Sequence, residues 1–138
     1  MKSFEYPVTI LEHHIDSLGH VNNATYVKLY EEARWDFCHQ AGFGMDWVMR
    51  EEKGFVVLGL DLKFKKEIRL REKITIHSQM GKVSRNLIVT CQQKMLSETG
   101  ETSSTLNLTF GLMDLKTRKL LNVPKEWGDF FGLELKGQ

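Results

Sequence analysis

Apolar positions along this chain recur first at every second residue, then at steps of three and four, then at every second residue again. Phe4, Tyr6, Val8 and Ile10 have the two-residue period of a half-buried strand, predicted to end near Glu12. From His13 to Asn22 no period is visible, and Asp16, Ser17, Gly19, Asn22 and Asn23 supply turn-forming chemistry. A helix is predicted from Ala24, capped by Asn22 or Asn23, whose side-chain oxygens can accept an unpaired backbone N–H. Val27, Tyr30, Ala33, Phe37 and Ala41 share one face of it, while Lys28, Glu32, Asp36 and Gln40 fall mostly on the other. Gly42 and Gly44 are natural terminators, which gives a helix of about five turns.

After Lys53 nearly everything reads as strand. Phe55 to Lys65 is extended, with Val56, Leu58, Leu60, Leu62 and Phe64 expected on one face. Ile74 and Ile76 continue the alternation, a polar turn follows around Lys82 to Asn86, and Leu87, Val89 and Cys91 form the next apolar face. Thr99-Gly100 marks a further reversal before Leu106, Leu108, Phe110 and Leu112, which alternate with Asn107, Thr109 and Gly111. Short turns between strands imply antiparallel pairing, because parallel neighbours need a long crossover. Pro124 to Trp127 can open a short terminal helix. The predicted class is α+β: a five-stranded antiparallel sheet with one long helix on one face.

With 138 residues, two prolines and no Gly/Ser tract, the chain reads as one domain over 1–138. A helix on one sheet face leaves the other face and the edges open. A homodimer is therefore expected, and a homotetramer if the outer face is a second interface. Hydrophobic residues at 41% and charged residues at 27% are the balance of a folded domain. Acidic and basic residues interleave to a formal charge of +1, so nucleic acid is not an expected partner. No apolar run approaches the ~20 residues of a membrane-spanning helix. Met1 to Tyr6 lacks a basic segment followed by an apolar run, so a cytoplasmic location is expected. Cys38 and Cys91, in a helix and a strand, are expected to be free buried thiols in a reducing compartment.

The segment richest in chemistry is Asp16-Ser17-Leu18-Gly19-His20-Val21-Asn22-Asn23-Ala24-Thr25-Tyr26. Taken alone, Asp16 is an Asx-turn residue placed favourably near a helix end. The segment as a whole resembles the signature of hotdog-fold acyl-CoA thioesterases of the 4-hydroxybenzoyl-CoA thioesterase type. Those proteins carry an aspartate, then Gly-His-Val-Asn or a close variant, then a tyrosine ten positions after the aspartate. The order strand, helix, four strands fits the same family. The resemblance implies a sheet wrapped around the long helix and hydrolysis of an acyl-CoA or acyl carrier protein thioester, with no metal or organic cofactor. It implies Asp16 as general base or nucleophile and the Asn23 backbone N–H as donor to the carbonyl oxygen. His20 would support Asp16, Gly19 would shape the loop, and Asn22 and Tyr26 would bound the substrate.

The chemistry is coherent. Attack on a thioester carbon builds negative charge on the carbonyl oxygen, and a helix N-terminus offers free N–H groups and partial positive charge. A second branch of such thioesterases carries its carboxylate on the helix, which makes Glu31 or Glu32 an alternative; a plain Glu31–Arg34 ion pair is the simpler reading. Ser84 and Arg85, with Lys82, Lys63, Lys65 and Lys66, could hold the coenzyme A nucleotide, or could be solvated strand and turn charges. Trp35, Phe43, Trp47, Val48 and Phe55 could be acyl-pocket walls or core. Three rivals stand beside this reading. One is a metal site from His13, His14, Asp16 and His20, whose spacing fits no known motif. Another is an acyl-thioester binding protein or scaffold without turnover. The third is a hotdog hydratase, whose Asp/His arrangement with an adjacent proline is missing here.

Overall fold

In the computed structural model, which describes residues 2–136, strand β1 spans Ser3–Thr9 and buries Phe4, Tyr6 and Val8 more than their neighbours. It stops short of the predicted Glu12. Ile10 pairs with the β2–β3 connection through Ile10 N–H to Glu72 O and Arg71 N–H to Ile10 O. The chain then coils into a 3-10 turn, Glu12–His14. His14 closes that turn twice, donating its N–H to Leu11 O and accepting the Leu11 N–H on Nδ1 at 2.9 Å.

Helix α1 runs Asn23–Gln40, roughly 27 Å at 1.5 Å per residue. Its buried residues are Tyr26, Leu29, Tyr30, Ala33, Phe37 and Cys38. The core stripe is thus wider than the predicted one, while Val27 and Ala41 lie at its margins. Gly42, at φ 85, ends the helix: its N–H reaches His39 O and the Phe43 N–H reaches Cys38 O. That pair of bonds needs a left-handed residue between them, which only glycine adopts without strain. A second helix, α2 (Met45–Glu51), follows. Seven residues with none buried give too short a period to read from sequence.

Four long strands follow, β2 (Lys53–Phe64), β3 (Lys73–Ser84), β4 (Ile88–Ser97) and β5 (Thr102–Asp114). A two-residue β6 (Leu120–Leu121) pairs with β5, and α3 (Lys125–Phe131) closes the order. The sheet order is β1-β3-β4-β5-β2, every neighbour antiparallel, with α1 packed over β1 and β3. The α+β class and the strand, helix, four-strand order are as expected; β6 is additional.

One expectation is overturned. Val56, Leu58, Leu60, Leu62 and Phe64 do not share a face, because a bulge lies between Val57 and Gly59. Before it, Phe55 and Val57 pair with Leu112 and Phe110; after it, Leu60 and Leu62 pair with Leu108 and Leu106. Directly opposed residues share a face, so the helix side carries Phe55, Val57, Leu60, Leu62 and Phe64. Val56 turns to the outer side.

The core under α1 is aromatic where α3 docks. Trp127 is fully buried and stacks on Phe55 at 4.9 Å, with Phe43, Phe110 and Phe131 around it. Burial of each large side chain contributes roughly 1.5–3 kcal/mol. Buried polar groups lock α1 to the sheet. Tyr30 OH donates to Ser104 Oγ, which donates to Lys63 O, and Gln93 Nε2 donates to Tyr30 O and Ser78 Oγ. No helix among the described residues is long and apolar enough to cross a membrane.

Candidate active site

The loop between β1 and α1 is held by backbone bonds on both sides. Ile15 bridges Val21, the Val21 N–H reaches Ile68 O, and the Asn22 N–H reaches His14 O. Inside that frame Asp16 N–H donates to His20 O and Gly19 N–H to Asp16 O, with Gly19 at φ 84. The turn demands the left-handed conformation there, which fits the shaping role expected of Gly19. Asp16 is half-buried, and its Oδ1 accepts the Leu18 N–H at 2.8 Å. The second carboxylate oxygen has no hydrogen-bond partner among the described residues.

At the start of α1 the first amides are divided unequally. The Ala24 N–H is taken by both Asn22 Oδ1 at 2.9 Å and Asn23 Oδ1 at 2.8 Å, and the Thr25 N–H by Asn22 O. The Asn23 N–H is left without an acceptor among the described residues. It carries the partial positive charge of the helix end and is free to take an incoming oxygen.

Asp16, His20, Asn23 and Tyr26 line one open cleft of about 480 Å³ together with Leu18, Val21 and the end of β2, Phe64 to Glu67. Tyr26 forms its wall, edge-on to Phe64 at 4.9 Å, and burial raises its phenol above the ordinary value. Lys65 and Lys66 stand at the rim, Lys66 paired with Glu101 at 2.7 Å. The His20 ring lies 3.4 Å from Val21 O and makes no bond to the Asp16 carboxylate. Asn22 is a helix cap outside the cleft lining. Phe64 and Leu18 were not singled out from sequence; the alternation around Phe64 carried a hint, the loop tip none.

The remaining candidates lie elsewhere. Glu31, two turns along α1, is exposed and lines a second cavity with Arg34, Trp35 and Phe55. No Glu31–Arg34 ion pair forms; Arg34 Nη1 donates instead to Gln93 Oε1 at 2.9 Å. Ser84 and Arg85 sit in the β3–β4 turn at the far end of the sheet, roughly 36 Å along β3 from its Lys73 end. Among the described residues no three His, Cys, Asp or Glu side chains are grouped as a metal site, and the His13 and His14 rings lie 4.0 Å apart. Cys38 and Cys91 are free and buried, and burial pushes both thiols up to about 12, which leaves them poor nucleophiles.

His14 anchors this site from beneath, and burial pushes its imidazole below the ordinary 6.5, helped by His13 and partly opposed by Glu32. A depressed folded value means that the unfolded chain binds more protons below 6.5. Stability therefore falls as pH drops through that value, and protonated Nδ1 can no longer accept the Leu11 N–H. Thermal unfolding between about pH 7.5 and about pH 5 should show this loss, with a flatter dependence in His14→Gln. Equal slopes would place the sensitivity elsewhere.

Residues 10–131 match the thioesterase-like superfamily. The chain belongs to that family. Long-chain acyl-CoA thioesterase FadM of Escherichia coli K12 is 29% identical over 119 residues, 86% of this chain and 89% of that protein. The solved structure of YbaW from Escherichia coli superposes with a TM-score of 0.80 and 28% identity, covering 92% of this chain and 95% of that one. A Lactobacillus plantarum protein assigned as an oleoyl thioesterase superposes at 0.89 with 16% identity. That last likeness is of fold alone; it covers 96% of this chain, which spans 52% of the longer one. The chain is thus a hotdog-type thioester hydrolase.

Proposed function

We propose that this hotdog thioesterase hydrolyses acyl-CoA thioesters at the Asp16 cleft. One observation carries the reading: a carboxylate with a free oxygen and the unpaired N–H of Asn23 line the same cleft. The thioester carbonyl oxygen is received by the Asn23 N–H at the positive end of α1. Asp16 either takes a proton from an attacking water or attacks the carbonyl carbon itself. In the first route the tetrahedral oxyanion collapses and expels the coenzyme A thiolate, leaving the free acid. In the second, an acyl-aspartyl anhydride forms as thiolate leaves, and water then hydrolyses it. Thiolate is a good leaving group, so neither route needs a strong acid, in keeping with a His20 ring not bonded to Asp16. Acyl carrier protein thioesters offer the same reacting group and are a second substrate class.

The working unit we propose is a homodimer. Among the described residues β2 pairs only with β5, and it exposes Val57, Leu58, Leu60 and Phe64 at 43–54% of their surface. A long apolar edge of this kind is covered in stable proteins, here by the same edge of a second copy about a two-fold axis. Antiparallel pairing of two β2 strands sets the Phe64 end of one protomer beside the Lys53 end of its partner. The Ser84–Arg85 turn of one protomer would then face the Asp16 cleft of the other, where the nucleotide could use it. Polar rows such as Gln79, Gln92, Asn107 and Asp61 line the outer sheet face. A homotetramer through that face would therefore rest on hydrogen bonds.

The test is thiol release from short, long and aromatic acyl-CoAs and from an acyl carrier protein thioester, by wild type and Asp16→Asn. Turnover lost in the variant supports the reading. Saturable binding of every thioester without turnover by wild type would replace it with a binding protein.

A further inference from the structure

The Asn23 amide is aimed by hydrogen bonds that lead back to a residue outside the cleft. Its N–H belongs to the Asn22–Asn23 peptide, and in a trans peptide the N–H and C=O point in opposite directions. Asn22 O accepts the Thr25 N–H at 3.0 Å, so that carbonyl points into the helix and the Asn23 N–H points off its end. Three hydrogen bonds hold Asn22 in its extended conformation, φ −62 and ψ 141. Two belong to the helix itself, from the Ala24 and Thr25 N–H groups to Asn22 Oδ1 and O. The third ties Asn22 to the turn before the loop: its N–H donates to His14 O at 3.1 Å.

The His14 carbonyl is in turn placed by the His14 side chain. Glu12–His14 is a single 3-10 turn, whose own hydrogen bonds are less well aligned than those of an α-helix. The imidazole is 8% exposed, and its Nδ1 accepts the Leu11 N–H at 2.9 Å. The His14 N–H donates back to Leu11 O, also at 2.9 Å. These two bonds close Leu11 and His14 onto each other, two residues past the end of β1. An accepting Nδ1 requires a neutral ring with its proton on Nε2. Without it the Leu11 N–H loses its partner and the carbonyl beneath Asn22 is released. Val21 stays bonded to Ile68 O, so the first turn of α1 would tilt and not unfold. We infer that His14 is a positioning residue for the reaction: by accepting the Leu11 N–H it fixes the carbonyl that holds Asn22, and so aims the Asn23 N–H at the thioester oxygen. This rests on the thioesterase reading and adds to it a residue that touches no substrate.

The charges around the ring are His13 on the same turn, Glu32 of α1 with Tyr6 of β1 beside it, and the exposed Glu12–Arg71 pair. Burial holds the imidazole below the ordinary 6.5, so the ring accepts at pH 7 and loses that ability as it gains a proton in acid. Thiol release from octanoyl-, palmitoyl- and benzoyl-CoA by wild type, His14→Leu and His14→Asn between about pH 5 and about pH 8 tests this. Leucine has no acceptor, whereas asparagine Oδ1 can take the place of Nδ1 and does not titrate. On the substrate that wild type turns over fastest, His14→Leu should lose about tenfold or more in kcat at pH 8. KM should change by less than about threefold, because the amide is used most in the transition state. His14→Asn should recover most of that kcat and show a shallower acid limb than wild type, whatever limb other groups impose on both. Wild-type kcat in His14→Leu, a loss through KM alone, an asparagine variant as impaired as the leucine one, or an unchanged acid limb in His14→Asn each overturns the inference and leaves the thioesterase reading intact. If His14→Leu fails to fold, the kcat and acid limb of His14→Asn decide. Absence of thiol release from all three substrates by wild type would overturn both together.

Discussion

Asp16→Asn is expected to lower kcat for acyl-CoA hydrolysis by about 10²-fold or more while the loop keeps its shape. Among the described residues the side chain makes one hydrogen bond, from the Leu18 N–H to Oδ1. Asparagine retains that acceptor, so the Asx turn survives, but its amide can neither take a proton from water nor form an anhydride. Asp16→Ala removes the turn acceptor as well, and should add a loss of loop stability of about 1 kcal/mol. Steady-state thiol release, with circular dichroism to confirm the fold, separates the two effects. Full activity in both variants would shift the chemistry to Glu31, two turns away and outside the cleft, and Glu31→Gln would then be the inactive protein.

Leu60→Glu should separate the subunits and remove most turnover without unfolding the chain. Leu60 lies just past the bulge on the free edge of β2, half exposed, so the isolated protomer can hydrate a carboxylate there. In a two-fold interface the same substitution sets two like charges near the axis among Val57, Leu58 and Phe64, where water is excluded. Desolvation and mutual repulsion are then paired, and a weakening of association by about 10²-fold or more follows. Sedimentation at micromolar concentration checks the prediction against wild type. A variant that stays dimeric would mean that another surface joins the subunits.

The elements that could be read from the sequence are those whose apolar period lasts long enough to be unambiguous. α1 declares itself through Tyr30, Ala33 and Phe37, and β5 through Leu106 to Leu112. The β2 bulge was not legible, because Val56, Val57, Leu58 and Leu60 are apolar at both parities, so alternation cannot report where the strand skips; Gly59 was the one sign of irregularity. β1 was read too long because Ile10 is buried like a strand residue while its bonds go to the β2–β3 connection. In the site, Asp16, His20, Asn23 and Tyr26 lie within eleven positions, and local turn and cap chemistry brings them to one cleft. Arg34 and Gln93 are 59 positions apart, and nothing local marks either as the other's partner. The Ser84–Arg85 turn shows the same limit: its composition suits a phosphate, but its distance from Asp16 depends on how two chains pair.

The most direct measurement is a crystal structure with an unreactive acyl-CoA analogue that carries a ketone in place of the thioester. The ketone oxygen should lie about 2.7–3.1 Å from the Asn23 backbone nitrogen, with the free oxygen of Asp16 facing the carbonyl carbon directly or through one water. A carbonyl bound away from the first turn of α1, with Asp16 turned from it, would contradict the assignment of the reaction to this cleft.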